Sequence, residues 1–170
     1  MPYPGGNIIR VTPTLSTDAY AQADVLFNFT EIPNAVSNRG GTSMLKAMYV
    51  VDYSDTSEID YKMIFAENNS SELGTINATA NISDANFKAL NPIAYVFLDA
   101  AQGTTSGIVD NLQMFPVLPA SGAQEDGGPN ILLKAAPGST SVYVSGIIVD
   151  GTPTYAADSL QLIFHIKYLD

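Results

Sequence analysis

The side chain best suited to acid–base chemistry is the only histidine, His165, in the closing stretch LQLIFHIKYLD (160–170). Apolar and more polar residues alternate along this stretch, which is typical of a half-buried strand with His165 on its polar face. A histidine acts as a general base only when a second group orients it and a nucleophile or water is within reach. Its neighbours on that face are Ile163 and Lys167, so we interpret His165 as a structural or surface side chain.

Carboxylates are the only abundant reactive groups. Four of them, Asp52, Asp55, Glu58 and Asp60, lie in the segment VDYSDTSEID between two predicted strands. Oxygen ligands of this kind could bind calcium, but the residue spacing of an EF-hand loop is absent. We therefore interpret the segment as a solvated acidic hairpin loop, with metal binding as the alternative.

Motifs for nucleophilic catalysis and phosphate binding are absent from the sequence. G-x-S-x-G does not occur, and the paired glycines at 5–6, 40–41 and 127–128 lack the spacing of phosphate-binding loops. Because the chain has no cysteine, it has no disulfide, thiolate metal site or thiol nucleophile. The sequence therefore predicts a protein that is not an enzyme and has no catalytic residues, cofactor or metal site.

The elements that would position any site are mostly strands. Two-residue alternation bounded by turn residues predicts strands at 8–15, 24–32, 43–53, 60–67, 92–99, 107–117, 130–136 and 140–150, besides the closing one. Turn signals every ten or so residues favour an all-β, single-domain antiparallel β-sandwich that is jelly-roll-like. One short helix is predicted at 83–90, where Ser83 can cap the N-terminus and Asn91-Pro92 stops the helix.

The 170 residues fit one domain, with residues 1–6 (MPYPGG) as an N-terminal arm and 7–170 as the sandwich. The segment 119–130, PASGAQEDGGPN, is predicted to be a loop, and loops of this length tend to be functional. Aromatic side chains in or beside the strands, including Tyr95, are expected to pack in the core.

Single basic residues interrupt five of the predicted strands: Arg10, Lys46, Lys62, Lys134 and Lys167. Such charges discourage edge-to-edge pairing of strands. We interpret these side chains as solubility determinants on solvent faces. The alternative is that some of them pair with acids of a neighbouring copy.

Acidic residues outnumber basic ones by 17 to 7, which gives a formal net charge of −10. Such a charge repels nucleic-acid backbones and anionic membranes, so neither is an expected partner. No apolar run reaches the ~18 residues of a membrane span. The opening MPYPGGNIIR has no feature of a secretory signal, so we expect synthesis and use without export.

Two blocks of the chain resemble a family of virion structural proteins of tailed bacteriophages. The first is RVTPTLSTDAYAQADVLFNFTEIPNAV (10–36) followed by GGTSMLKAMYVVD (40–52), and the second is LLKAAPGSTSVYVSGIIVDGTPTYAADSLQLIFHIKYLD (132–170). The likeness rests on an opening R-V-T-P-T-L-x-T-x-x-Y, an E-I-P-N-A turn and a G-T-P-T-Y turn before the last strand. Where members of that family carry glycine before the acid of the second strand, this chain has Ala23-Asp24.

The resemblance implies a capsid decoration (cement) protein on the outer surface of the virion head, made in the host bacterial cytoplasm. It implies the major capsid protein as partner and a homo-oligomer, with a trimer favoured because it would match local threefold axes. Candidate interface residues are Pro2, Tyr3, Pro4, Arg10, Arg39, Glu125 and Asp126. The alternatives are a tail- or fibre-associated β-rich binding module and a carboxylate-based, glycan-acting enzyme.

Overall fold

The structure is a computed structural model that describes residues 5–54, 59–98, 104–105, 113–116 and 130–169. The strands in these ranges are β1 (Gly6–Val11), β2 (Val25–Ile32), β3 (Thr42–Asp52), β4 (Asp60–Ala66), β5 (Pro92–Leu98), β6 (Thr104–Thr105), β7 (Gln113–Pro116), β8 (Ile131–Lys134), β9 (Val142–Asp150) and β10 (Leu160–Tyr168), and the helix is α1 (Asp84–Ala89).

Eight of the strands form two facing antiparallel sheets, with the orders β1-β10-β3-β8 and β2-β9-β4-β5. Among these eight, consecutive strands lie in different sheets except for β4 and β5, which is the strand order of a jelly roll. The predicted all-β sandwich is therefore confirmed. Strands β6 and β7 pair with each other and extend the first sheet. They can do so because β3 is long: β7 pairs with its second half, and β8 pairs with its first half.

The core lies between the two sheets and is built from the alternation that the sequence shows. In β10, Leu162, Phe164 and Ile166 are buried. Phe164 reaches across to Phe65 of β4, and their ring centroids lie 6.1 Å apart in an edge-on arrangement. Packing of this density between two inner faces is the main source of stability for a sandwich of this size.

Gly146 of β9 makes room for one of these core rings. A Cβ atom at this position would lie 2.6 Å from Cε1 of Phe27, whose strand pairs with β9 at that point. Only a residue without a side chain allows Phe27 to lie flat against the β9 backbone.

A bulge in β3 keeps both halves of this long strand in register with the core. The pairing with β10 shifts between His165 and Ile166, so that Lys46 of β3 is the extra residue. Leu45 and Met48, on either side of the bulge, are both fully buried, while Lys46 is exposed. Four of the five strand lysines and arginines are exposed: Arg10, Lys46, Lys134 and Lys167.

A second hydrophobic cluster covers part of the outer face of the β2-β9-β4-β5 sheet. The segment 67–91, between β4 and β5, carries Leu73 and Leu90 onto Val25, Phe29 and Ile64 of that face. This third layer is not predicted by strand periodicity, because its apolar residues follow neither a period of two nor a helical period.

The predicted helix is confirmed within that segment. Ser83 is the N-cap, and its hydroxyl accepts a hydrogen bond from the Asn86 amide (3.3 Å). Asp84 occupies the first turn, where the helix dipole favours a carboxylate. Asn91 follows the helix with φ 50°, a left-handed conformation, and Pro92 then begins β5.

The predicted boundaries shift in a few places. β1 begins at Gly6, inside the predicted arm, and the Gly5 carbonyl accepts a hydrogen bond from the Tyr168 amide (3.0 Å). Of the strand predicted at 107–117, residues 113–116 form β7 and the rest lie outside the described residues. The predicted loop 119–130 also lies outside them, apart from Asn130, which precedes β8 with φ 44°.

Candidate interaction surfaces

His165 lies on the outer face of the β1-β10-β3-β8 sheet, opposite Ile8 of β1 and Ala47 of β3. It is half-buried, and its ring centroid lies 5.3 Å from that of Tyr49. With Lys46 it lines a shallow depression of about 290 Å³. The described side chains that line this depression with it, those of Asn7, Ile8, Lys46 and Ile166, and the neighbouring Tyr49 include no carboxylate that could orient a catalytic base.

The acidic segment after β3 differs from the solvated loop that the sequence predicts. Asp52 has an exposed fraction of 0%, and its Oδ1 accepts hydrogen bonds from the Ser54 amide (2.8 Å) and hydroxyl (2.5 Å). The interpretation as a solvated loop residue is therefore wrong for Asp52, because a buried carboxylate needs donors of this kind. Asp55 and Glu58 lie outside the described residues, and Asp60 begins β4.

A metal centre is likewise not assembled by the residues that the structure describes. Among them, no group of three or more His, Cys, Asp or Glu side chains is placed to hold a metal ion.

The two sequence blocks that carry the family resemblance meet in space. Tyr20, which ends the R-V-T-P-T-L-x-T-x-x-Y motif, donates its amide to the carbonyl of Pro153 (2.9 Å) in the G-T-P-T-Y turn. Its ring packs edge-on against Tyr155 of the same turn, with a centroid distance of 5.9 Å. The two motifs therefore form one packing unit at one end of the sandwich.

Hydroxyl groups tie this unit to the β2-β9-β4-β5 sheet. The Tyr20 hydroxyl donates to the Leu26 carbonyl (3.0 Å) at the start of β2 and accepts from the Ser16 amide (2.7 Å). The Tyr155 hydroxyl shares a hydrogen bond of 2.6 Å with that of Tyr61 in β4.

Burial sets the protonation of these phenols. The pKa of Tyr61 is raised well above its usual value, first by burial and then by the neighbouring Tyr155 and Asp52. Burial also raises the pKa of Tyr20. Both side chains therefore stay neutral near pH 7 and act as hydrogen-bonding groups of the core, not as nucleophiles.

The E-I-P-N-A motif forms the end of β2 and the turn that follows it, and side chains of the first sheet anchor it. The hydroxyl of Tyr168 in β10 donates to the Asn34 carbonyl (2.9 Å), and the hydroxyl of Ser43 in β3 donates to the Ala35 carbonyl (2.6 Å). Like the tyrosine unit, this motif holds the fold together, and its one carboxylate, Glu31, accepts a hydrogen bond from the Ser141 hydroxyl.

Ala23 occupies the position at which the resembling family carries glycine. Its φ is 70°, in the left-handed region that glycine adopts without strain. The Ala23 amide donates to the Ile148 carbonyl of β9 (2.9 Å), and the Ile148 amide donates to the Asp24 carbonyl (3.0 Å). These paired bonds fix the turn into β2 although alanine is strained there.

The candidate interface residues lie on separate elements. Arg10 is exposed on β1, which is an edge strand of its sheet, and Arg39 is exposed in the turn between β2 and β3. The other five, Pro2, Tyr3, Pro4, Glu125 and Asp126, lie outside the described residues.

An apolar surface on β5 is not predicted by the sequence reasoning. Tyr95, expected in the core, is 62% exposed, and Phe97 on the same face is 41% exposed. Beside them, Lys62 of β4 and Phe87 of α1 line a cleft of about 300 Å³, and the Lys62 ammonium lies 5.7 Å from the centroid of the Tyr95 ring. One feature of the sequence sets this strand apart from five other predicted strands: PIAYVFL contains no basic residue.

Comparisons of this sequence with protein families, curated proteins and solved structures found no match. In the ranges that the structure describes, no helix has the length and apolar character that crossing a membrane requires.

Proposed function

We propose that this chain is a non-enzymatic decoration protein that binds the major capsid protein on the outer surface of a tailed-phage head. The observation that carries the proposal is the meeting of the two resembling blocks, in which Tyr20 packs on Tyr155 and bonds to Pro153. Motif residues that contact one another act as one packing unit of the fold, and the family that these motifs resemble consists of virion structural proteins.

Charge supports placement outside the capsid. A formal net charge of −10 opposes contact with packaged DNA and is compatible with the outer surface. Jelly rolls occur among viral capsid proteins as well as in lectins and cupins, so the fold is compatible with a place in a virion.

The mechanism proposed is docking alone. A sandwich held by a continuous core can present exposed groups such as Arg10 and Arg39 at fixed positions on each capsomer, and the Pro-rich sequence of residues 1–4 would add a further contact. Contacts that are individually weak multiply when several are engaged at once on a repeating lattice. Bridging neighbouring capsid subunits in this way would stabilise the shell without making or breaking a covalent bond.

Co-sedimentation of the purified chain with shells that lack it tests the proposal. We expect saturable binding, a higher temperature of shell disruption and, in cryo-electron microscopy of the particle, density for this sandwich on the outer face of the head. A chain that stays in the supernatant, or whose density lies on the tail, would overturn the proposal, and the second result would favour the tail-associated binding module.

A double variant tests whether exposed arginines contribute to binding of the shell. Arg10→Ala with Arg39→Ala removes two exposed cations that lie outside the core. We expect weaker binding to shells with an unchanged melting temperature, because surface substitutions of this kind change stability by about 0.5 kcal/mol or less.

A further inference from the structure

Strand β5 ends the β2-β9-β4-β5 sheet and leaves one of its edges open. It pairs with β4 on one side, and among the described residues no strand pairs with it on the other. Its outer face exposes Tyr95 (62%) and Phe97 (41%). Within the described ranges this edge has no strand partner, and such an edge beside exposed aromatic rings is a template for pairing with another strand.

Charge distinguishes β5 from the other edge strands whose side chains the structure describes. β1 carries Arg10, β2 carries Glu31 and β8 carries Lys134, whereas the seven residues of β5 include no charged side chain. Charged residues on an edge oppose pairing with another chain, and β5 has none. In a chain of net charge −10, a strand without acidic side chains adds no like-charge repulsion of its own between two copies.

The register of β5 favours pairing with itself. Its pairing with β4 is regular from Ala94 to Leu98, and an irregularity follows towards Pro92. An antiparallel pair of two β5 strands centred on Val96 would place Tyr95 of each copy opposite Phe97 of the other. Cross-strand aromatic pairs stabilise antiparallel sheets, and no like charges would face each other in this register.

We propose that two copies of this chain associate through antiparallel β5–β5 pairing about a twofold axis at Val96, which joins their two sheets into one continuous sheet. The contact is isologous, since the same surface serves both partners. It differs in symmetry from the trimer that the family resemblance implies, and capsid lattices offer local twofold axes as well. The inference does not rest on the proposed function, because it concerns the purified chain in solution.

Sedimentation equilibrium or light scattering coupled to gel filtration measures the mass directly. At about 100 µM, above the micromolar range expected for a small interface, we expect a dimer. Tyr95→Glu should raise the dissociation constant about tenfold or more, because it replaces a central aromatic side chain with a charge. Ile8→Glu is the matched control, since Ile8 is 50% exposed on edge strand β1 and the change in charge is the same.

A monomer or a trimer of the unmodified chain at that concentration would overturn the proposal. So would equal dimerisation of Tyr95→Glu and Ile8→Glu. Failure of the chain to bind shells while the dimer persists would count against the proposed function alone.

Cysteine crosslinking tests the register without depending on Tyr95→Glu, and the absence of native cysteine removes any background. Mixing the single variants Tyr95→Cys and Phe97→Cys should give an intermolecular disulfide faster than either variant alone. In the proposed register these positions are directly opposite, whereas like positions are diagonal and about 7–8 Å apart, beyond the usual reach of a disulfide. Equal rates for the mixture and for each variant alone would overturn the register.

Discussion

Six non-glycine residues in the described part of the chain have positive φ, and five of them are Asn or Asp. The sixth is Ala23, whose side chain can form no local hydrogen bond to offset the steric cost of the left-handed region. Two backbone hydrogen bonds to Ile148 hold the turn in this conformation. The site therefore stores strain that a single substitution can release.

Ala23→Gly should raise the free energy of unfolding. Relief of the left-handed strain stabilises the folded state by about 1–2 kcal/mol. The greater conformational freedom of glycine in the unfolded chain destabilises the folded state by about 0.4–1 kcal/mol. We expect a net gain of about 0.5–1 kcal/mol, measured by urea unfolding, with a melting temperature higher by about 1–4 °C.

Ala78→Gly is the control for this prediction. Ala78 is exposed, lies in the loop beside β2, and is not at positive φ. There the same change should leave stability unchanged or lower it. An equal gain at both positions would show that strain at Ala23 is not the cause.

The free energy of unfolding should decrease at alkaline pH because of Tyr61. Its pKa is raised in the folded state, so above pH 10 the unfolded chain loses the phenolic proton before the folded chain does. The contribution of Tyr61 is fully present below pH 10 and falls as pH rises from there through the folded-state pKa. Urea unfolding at pH 8, 10 and 11 should therefore show a loss of stability that is shallower in Tyr61→Phe.

The phenylalanine variant separates this effect from the hydrogen bond. At pH 8 Tyr61→Phe should cost about 1 kcal/mol, because the hydrogen bond to the Tyr155 hydroxyl is lost. Tyr53→Phe, which alters an exposed ring, is the control. Identical pH profiles for Tyr61→Phe and the unmodified chain would contradict the assignment.

Strands and helix were predictable where one local pattern decided the structure. In β10 strict alternation places Phe164 inside and His165 outside, and at α1 the cap Ser83 and the stop Asn91-Pro92 set both ends. The edge position of β5 was not predictable, because it depends on which strands pair and not on the residues of the strand itself. The exposure of Tyr95 depends on its outer face staying uncovered by the segment 67–91, which the residues of β5 do not encode either.

The segment 67–91 shows the same limit. The burial of its apolar residues depends on the outer face of β2 and β4, because Leu73 packs against that face. The segment's own sequence does not show this contact. Two hydrogen bonds of Asn28 hold the segment there: the Leu73 amide donates to its Oδ1 (2.9 Å), and its Nδ2 donates to the Gly74 carbonyl (2.8 Å). One side chain of β2 thus joins the third layer to the sandwich.

Asn28→Ala should destabilise the protein by about 2 kcal/mol, because two partly buried backbone groups lose their partner. Asn28→Asp retains the acceptor for the Leu73 amide and should cost less. Urea unfolding measures both. Asn69→Ala, at an exposed position of the same segment, should change stability by about 0.5 kcal/mol or less, and a comparable loss there would contradict this role for Asn28.

Across the whole molecule, the groups that hold the fold and the groups available to partners are separate. Tyr20 and Tyr155 of the resembling motifs pack in the interior, whereas Arg10, Arg39 and the β5 surface are among the exposed features of the described residues. Partner binding should therefore be separable from stability by mutation. That separation is what a docking protein requires, since its scaffold must stay unchanged while its surface engages the lattice.

Deletion of residues 1–4 tests this separation under the proposed function. The Gly5 carbonyl accepts a hydrogen bond from the Tyr168 amide, and β1 begins at Gly6. Deletion of residues 1–4 therefore leaves this hydrogen bond and the whole of β1 in place. We expect an unchanged melting temperature but binding to shells weaker by about tenfold or more, because Tyr3 between two prolines is a typical anchor at an interface. Replacing residues 1–4 by Gly and Ser is the length-matched control and should weaken binding to the same extent. Full binding by the deleted form would remove the arm from the interface, and a lower melting temperature would assign it to the fold instead.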